Sequence, residues 1–311
     1  MVTLPTSRPS LSSNETLKSA VVLSLFLLGY WLWLFMAHLL GISLVTYGMM
    51  DSAPKFTEIA DLYFNNYWTV QGWAGLLFFL FNFGLTVGRQ AHWPELSARN
   101  WRGTLLPTLI KTILGSVLWV LLTLWLTPSQ FLGPGFSFEE GLWSALNCVI
   151  RALAWLGWAV GEEWVFRKVA LERLKKILAR SLGPRATEWA TVLGITFLWV
   201  LTRSWHQQLG LNQTLTLSLV GLALGFYSFR GGSYLNGAAI LGGATLSFQV
   251  LFSLPVLGHE FTGFWIIKYR SSDLLHFVSG GAGGPLSSAI LQLGLVSWIA
   301  GNFFGRTPRH R

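Results

Sequence analysis

Three runs of this chain, Val21–Met50, Leu62–Gly88 and Gly231–Gly258, contain no Asp, Glu, Lys or Arg. Each exceeds the roughly 20 apolar residues that a helix needs to cross a hydrocarbon core. Composition agrees: of 311 residues, 52% are hydrophobic and only 11% charged, which is the balance of a membrane protein rather than of a soluble enzyme. The chain therefore reads as all-α, a polytopic helical bundle in one membrane domain.

About eight spans can be placed. Residues 1–18, rich in Ser, Thr and Pro, read as a flexible tail, and the single transmembrane domain covers 19–305, followed by a basic tail at 306–311. The spans fall near Ser19–Thr46, with His38 as a polar group inside it, then Leu62–Val87, Leu105–Leu126 and Gly141–Val160. An amphipathic surface helix is expected over Lys168–Leu182, with Leu171, Leu174, Ile177, Leu178 and Leu182 on one face and the cations largely on the other. Leu182-Gly183-Pro184 should end it. The apolar run Trp189–Thr202 is short for a span, and Leu211–Phe229, Gly232–Val256 and Pro285–Phe304 follow. Residues 127–140 and 258–284 read as loops on one side, the second carrying an apolar patch at Phe264–Ile267.

The net charge of +9 does not point to nucleic acid, because the basic residues sit in short segments between apolar runs. Orientation and anionic lipid explain them. The tail, 89–102, 167–185, Arg230 and the C-terminus hold sixteen Lys and Arg on one side, against Lys55, Arg203, Lys268 and Arg270 on the other. Both termini are thus expected in the cytoplasm. The single Cys148 allows no internal disulfide.

One polar feature interrupts the apolar pattern: Glu162-Glu163, directly after the fourth run. A carboxylate at membrane depth is costly and by default marks function. In a helix Glu163 and Arg167 lie four apart and can pair, while Glu162 is rotated about 100° away and left free. Helix lengths suggest what faces it. From Glu162 to Leu182 is about 30 Å, and from Glu188 back to Arg203 or His206 about 23–27 Å. A hairpin would return Arg203 and His206 to the level of Glu162, in a site open to the cytosol.

Together, these features resemble the CPBP family of intramembrane proteases, which includes the CAAX prenyl endopeptidases; the likeness covers about 143–248. The family's first motif, Glu-Glu-x-x-x-Arg, is intact as Glu162-Glu163-Trp164-Val165-Phe166-Arg167. The resemblance implies that Glu162 serves a catalytic water, that a His in a Phe-x-x-x-His pattern assists it, and that a later His with a partner supplies the oxyanion side. Two motifs depart from this pattern. Trp199-Val200-Leu201-Thr202-Arg203 puts Arg203 in the first His slot, with His206 one turn further on. Counting from Arg230-Gly231-Gly232-Ser233 puts Leu241 in the second and Thr245 in the partner slot. Leu241 can neither donate a hydrogen bond nor bind a metal, and Arg203 beside Glu162 would tie it in an ion pair.

The candidate catalytic set is therefore Glu162, Glu163, Arg167, Arg203 and His206. No cofactor is expected. A divalent metal has weak footing, since one carboxylate and one displaced His fall short of the three ligands usual for catalytic zinc. The leading expectation is a multi-pass protein similar to these hydrolases, with peptidase activity reduced or lost, a pseudoenzyme that binds or scaffolds a membrane partner. The alternative is an active endopeptidase in which Glu162 and His206 suffice. A third is a small transporter using Lys111, Arg151 and Glu162 as a charge relay. Expected partners are the lipid bilayer and a membrane or prenylated protein or peptide.

Overall fold

The structure, a computed structural model, describes residues 13–49, 77, 80, 101–126, 129–135, 141–206, 210–256, 263–269, 280 and 284–304. These residues are mostly helical. Helix α1 is Ser13–Met49. It takes in 13–18 of the expected tail, with Ser13 and Asn14 at its start and Glu15 in the first turn, where the helix dipole favours an acid. Of the span expected at 62–87, only Leu77 and Leu80 are described, both helical. Helix α2 is Leu106–Leu126, entered through a π-helical turn at Trp101–Leu105.

Helix α3, Gly141–Glu163, does not stop at the acid pair. It runs on through a π-helical stretch, Trp164–Ala170, into α4, Leu171–Leu178. The amphipathic helix therefore ends four residues before Leu182, in a turn where the Leu182 N–H reaches the Leu178 carbonyl at 3.0 Å. Pro184 then opens α5, Pro184–His206, a place suited to a residue with fixed φ and no N–H to satisfy. At 23 residues α5 is longer than its 14-residue apolar run. Helix α6 is Leu211–Phe229, and α7 is Tyr234–Thr245 with a π-helical continuation at Leu246–Leu251. The seventh helical segment thus ends before Val256; Ser253 has a φ of 52°, and its Oγ accepts from the Gly263 N–H at 2.7 Å. Helix α8, Ala289–Phe304, follows a short 3₁₀ turn at Pro285–Ser287.

The two loops placed on one side meet as strands. Ser129–Pro134 (β1) pairs antiparallel with Trp265–Tyr269 (β2), Gln130 opposite Lys268 and Phe131 opposite Ile267, with an irregularity between Phe131 and Gly133. The patch at Phe264–Ile267 is mostly strand, so the helical bundle carries one small two-stranded sheet.

Helix α7 is the hub: it packs on α3 and on α2, while α5 packs on α6 and α1 on α4. Close approach comes from glycine. A methyl group on Gly221 of α6 would lie 2.7 Å from a Thr196 methyl and 3.1 Å from the Trp199 ring, and one on Gly225 2.8 Å from Val192. The Gly221-x-x-x-Gly225 pair thus lets α6 lie backbone-close on α5, the packing mode of helices that associate in lipid. The outer faces of α1, α2 and α8 are apolar. Leu114, Leu118 and Trp125 on α2, Leu28, Leu32 and Phe35 on α1, and Leu293 and Val296 on α8 all face outward. Among the described residues, two helical segments are long and apolar enough to cross a bilayer, Asn14–Ala37 and Gly103–Leu126, and Ala289–Gly301 is a shorter apolar one.

Candidate functional site

Glu162 and Glu163 sit where α3 changes from α- to π-helical hydrogen bonding, and both are almost fully buried. Single π-helical turns inside helices are frequent at functional sites. Consecutive helical residues point about 100° apart, so the two acids address different neighbours. Glu162 faces α5: Arg203 donates from Nε to Oε1 at 3.0 Å, and from Nη2 to Oε2. This is a two-pronged, charge-assisted contact that engages both carboxylate oxygens. Glu163 faces α7, where a Cβ on Gly237 would stand 2.3 Å from its Oε2. Any side chain at 237 would have to displace the buried Glu163 carboxylate.

Arg167, one turn after Glu163, places its Nε 3.7 Å from the Glu163 Oε1, and neither side chain is exposed. The pair expected from the four-residue spacing is present, but as a charge contact. Among the described residues, neither the Glu163 oxygens nor the Arg167 nitrogens have a hydrogen-bond partner. Between the two pairs stands Trp199, fully buried, with the Arg167 Cζ 5.0 Å and the Arg203 Cζ 5.2 Å from the ring centre. An indole face attracts a guanidinium. Two acids, two bases and one Trp therefore form a single cluster in which the formal charges are matched one to one.

Arg203 also touches an open space. A cavity of about 690 Å³ lies among α2, α6, α7 and α8, lined by apolar side chains such as Leu217, Val220, Leu224, Phe248 and Leu295, and by Thr108, Thr112, Ser116 and Thr216. Its size and its mix of apolar wall with a few polar groups are those of a ligand pocket. Leu241 and Thr245 line it too. On its wall, Asn236 accepts from the Thr108 Oγ at 3.0 Å and donates to the Tyr227 hydroxyl at 2.5 Å, tying α7 to α2 and α6.

Four of the five candidate residues, Glu162, Glu163, Arg167 and Arg203, are thus brought together, and the Arg203, Leu241 and Thr245 slots share one cavity. His206 is the last residue of α5, one turn beyond Arg203; its side chain lies outside what the structure describes. The charge count places Arg203 with the outer loops. It lies instead within α5 against Glu162, and so drops out of the count that sets orientation. Lys111 is on the exposed face of α2 and Arg151 is half-buried on α3. His38 is in α1, and His259 and His276 lie outside the described residues. Sequence reasoning missed Gly237 and the Tyr227–Asn236–Thr108 chain. The density of small residues at Gly237-Ala238-Ala239 and Gly242-Gly243 was the available signal for close packing on α7.

Among the described residues, no three His, Cys, Asp or Glu side chains gather as metal ligands do. With Glu162 bound to Arg203, the described side chains do not supply the three ligands of a catalytic zinc. Comparison with known proteins found no matching family model, no matching curated protein and no matching solved structure.

Proposed function

We propose that this chain is a multi-pass membrane protein of the CPBP kind, with about eight spans and both termini in the cytoplasm, whose peptidase chemistry is reduced or lost and which binds a membrane partner in the cavity beside Arg203. One observation carries the loss of chemistry: the Arg203 guanidinium engages both oxygens of Glu162. A general base must have a free lone pair within hydrogen-bond reach of the water it activates, and Arg203 competes for both sites. Leu241 adds to this, since a leucine offers no donor to an oxyanion. The membrane reading is supported by the apolar outer faces of α1, α2 and α8 and by two segments of spanning length. Among the described residues, the apolar cavity fits an apolar or lipid-modified segment of a membrane protein better than a soluble polar substrate.

The test is a cleavage assay on the purified protein with prenylated and unprenylated peptides. Losing a general base costs about 10²–10⁴ in rate and losing an oxyanion donor about 10²–10³. Cleavage should therefore stay at background and be the same for wild type and Glu162→Ala. Turnover abolished by both Glu162→Ala and His206→Ala would overturn the proposal and assign His206 the assisting role.

A further inference from the structure

The cations of the α4 region sort by what they touch. Lys168 pairs with Glu172 at 3.0 Å, and the Lys175 Nζ lies 4.4 Å from the centre of the Phe229 ring. Arg173 and Lys176 do neither. They face a separate recess of about 270 Å³, shared with Glu15, Thr16, Lys18 and Ser19 from the first two turns of α1. None of these four charged groups forms an ion pair with another described residue. Two hydroxyls complete the lining. Among the described residues the Thr16 Oγ is buried without a hydrogen-bond partner, and Ser19 is only 9% exposed. Buried hydroxyls are normally satisfied, so an orphaned one in a basic recess is a place prepared for an acceptor.

We infer that this recess binds a phosphate group. Three cations less Glu15 leave two net positive charges, close to the charge of a phosphomonoester near neutral pH. The recess lies against the first two turns of α1, the end of a helix at which the dipole favours an anion. The cations and hydroxyls are donors, as the acceptor-only oxygens of phosphate require. The phosphate can belong to a lipid headgroup, since amphipathic basic helices recruit anionic lipid, or to a soluble phosphorylated molecule; the recognition chemistry is the same. The site is separate from the Glu162 cluster and independent of whether that cluster turns over.

The full-length protein in a neutral maltoside detergent, followed by tryptophan fluorescence on heating, tests this. Binding to the folded state raises the unfolding temperature. Phosphatidic acid, or inorganic phosphate against chloride of equal ionic strength, should raise it, while phosphatidylcholine should not. A rise with phosphatidic acid alone assigns the lipid source, and a rise with phosphate alone the soluble one. No rise with either overturns the inference. The double substitution Arg173→Gln/Lys176→Gln should weaken binding about tenfold per cation, and Lys18→Gln, from the opposite wall, about tenfold by itself. Lys168→Gln/Lys175→Gln removes equal charge from the same region outside the recess and should leave affinity unchanged. Equal losses in the two double variants would mean diffuse attraction instead of a site, and would overturn it. The unfolding temperature of each variant without ligand separates weakened binding from weakened folding.

Discussion

Glu162 and Glu163 are adjacent in the chain yet held in opposite ways, one by hydrogen bonds and the other by the absence of a side chain across from it. Glu162→Gln removes the charge opposite Arg203 and leaves a nearly buried guanidinium uncompensated. Breaking a buried pair in this way costs about 3–5 kcal/mol, whereas replacing both partners by apolar groups of similar size is often neutral. Glu162→Gln alone should therefore lower stability markedly in denaturant titrations in detergent, and Glu162→Met/Arg203→Met should recover most of the loss. Purely additive losses would show that the pair contributes nothing as a pair. Gly237→Ala should cost about 1–3 kcal/mol by overpacking against Glu163, and that cost should vanish in a Glu163→Ala background, a non-additivity expected only of residues in contact. Glu163 with Arg167 was legible from four-residue spacing, and helix lengths brought Arg203 and His206 to the level of Glu162 without choosing between them. Trp199 as a platform for both guanidiniums was not, nor was Gly237. Both depend on the rotation of helices that are apolar all round, and without a polar stripe a sequence does not say which face meets which neighbour.

At the scale of elements, the cluster depends on how closely α5 lies on α6, since Trp199 and Arg203 both project from α5. Gly221→Val should push the two helices apart against Thr196 and Trp199. A loss of about 1–3 kcal/mol is expected for such overpacking, with a red shift and broadening of tryptophan emission as Trp199 loses its packing. An unchanged unfolding midpoint would show that the hairpin tolerates the extra volume. Most of the described helices were legible, because long apolar runs mark helical segments directly. Their ends were less so. Hydropathy marks how deep a residue sits in lipid, whereas a helix ends where its hydrogen bonds end. Hence α5 outruns its apolar run in both directions, while α4 stops at Leu178 although leucines recur to Leu182. The π-helical stretch at Trp164–Ala170 is silent in sequence, because over seven residues its periodicity differs too little from that of an α-helix. Strands β1 and β2 are five to six residues long without clean alternation, so nothing in their composition set them apart from loop.

For the molecule as a whole, the distribution of basic residues implies a direction across the bilayer that can be read with single cysteines. The only native thiol, Cys148, is 3% exposed, so an introduced cysteine labels against little background. Ser181, in the exposed turn between α4 and α5, belongs to the most basic segment of the chain. Gln130, exposed on β1, lies on the other side of α3 in the chain, and α3 alone is about 34 Å long at 1.5 Å per residue. On the proposed topology, removing Arg203 from the outer count leaves Lys55, Lys268 and Arg270 in it, which sharpens the asymmetry that orients membrane proteins. An impermeant maleimide added to intact cells should therefore label Gln130→Cys and spare Ser181→Cys, and permeabilisation should make both reactive. Labelling of Ser181→Cys in intact cells would invert the topology. It would also put the recess lined by Arg173 and Lys176 on the outer surface, and with it the side from which any phosphate must arrive.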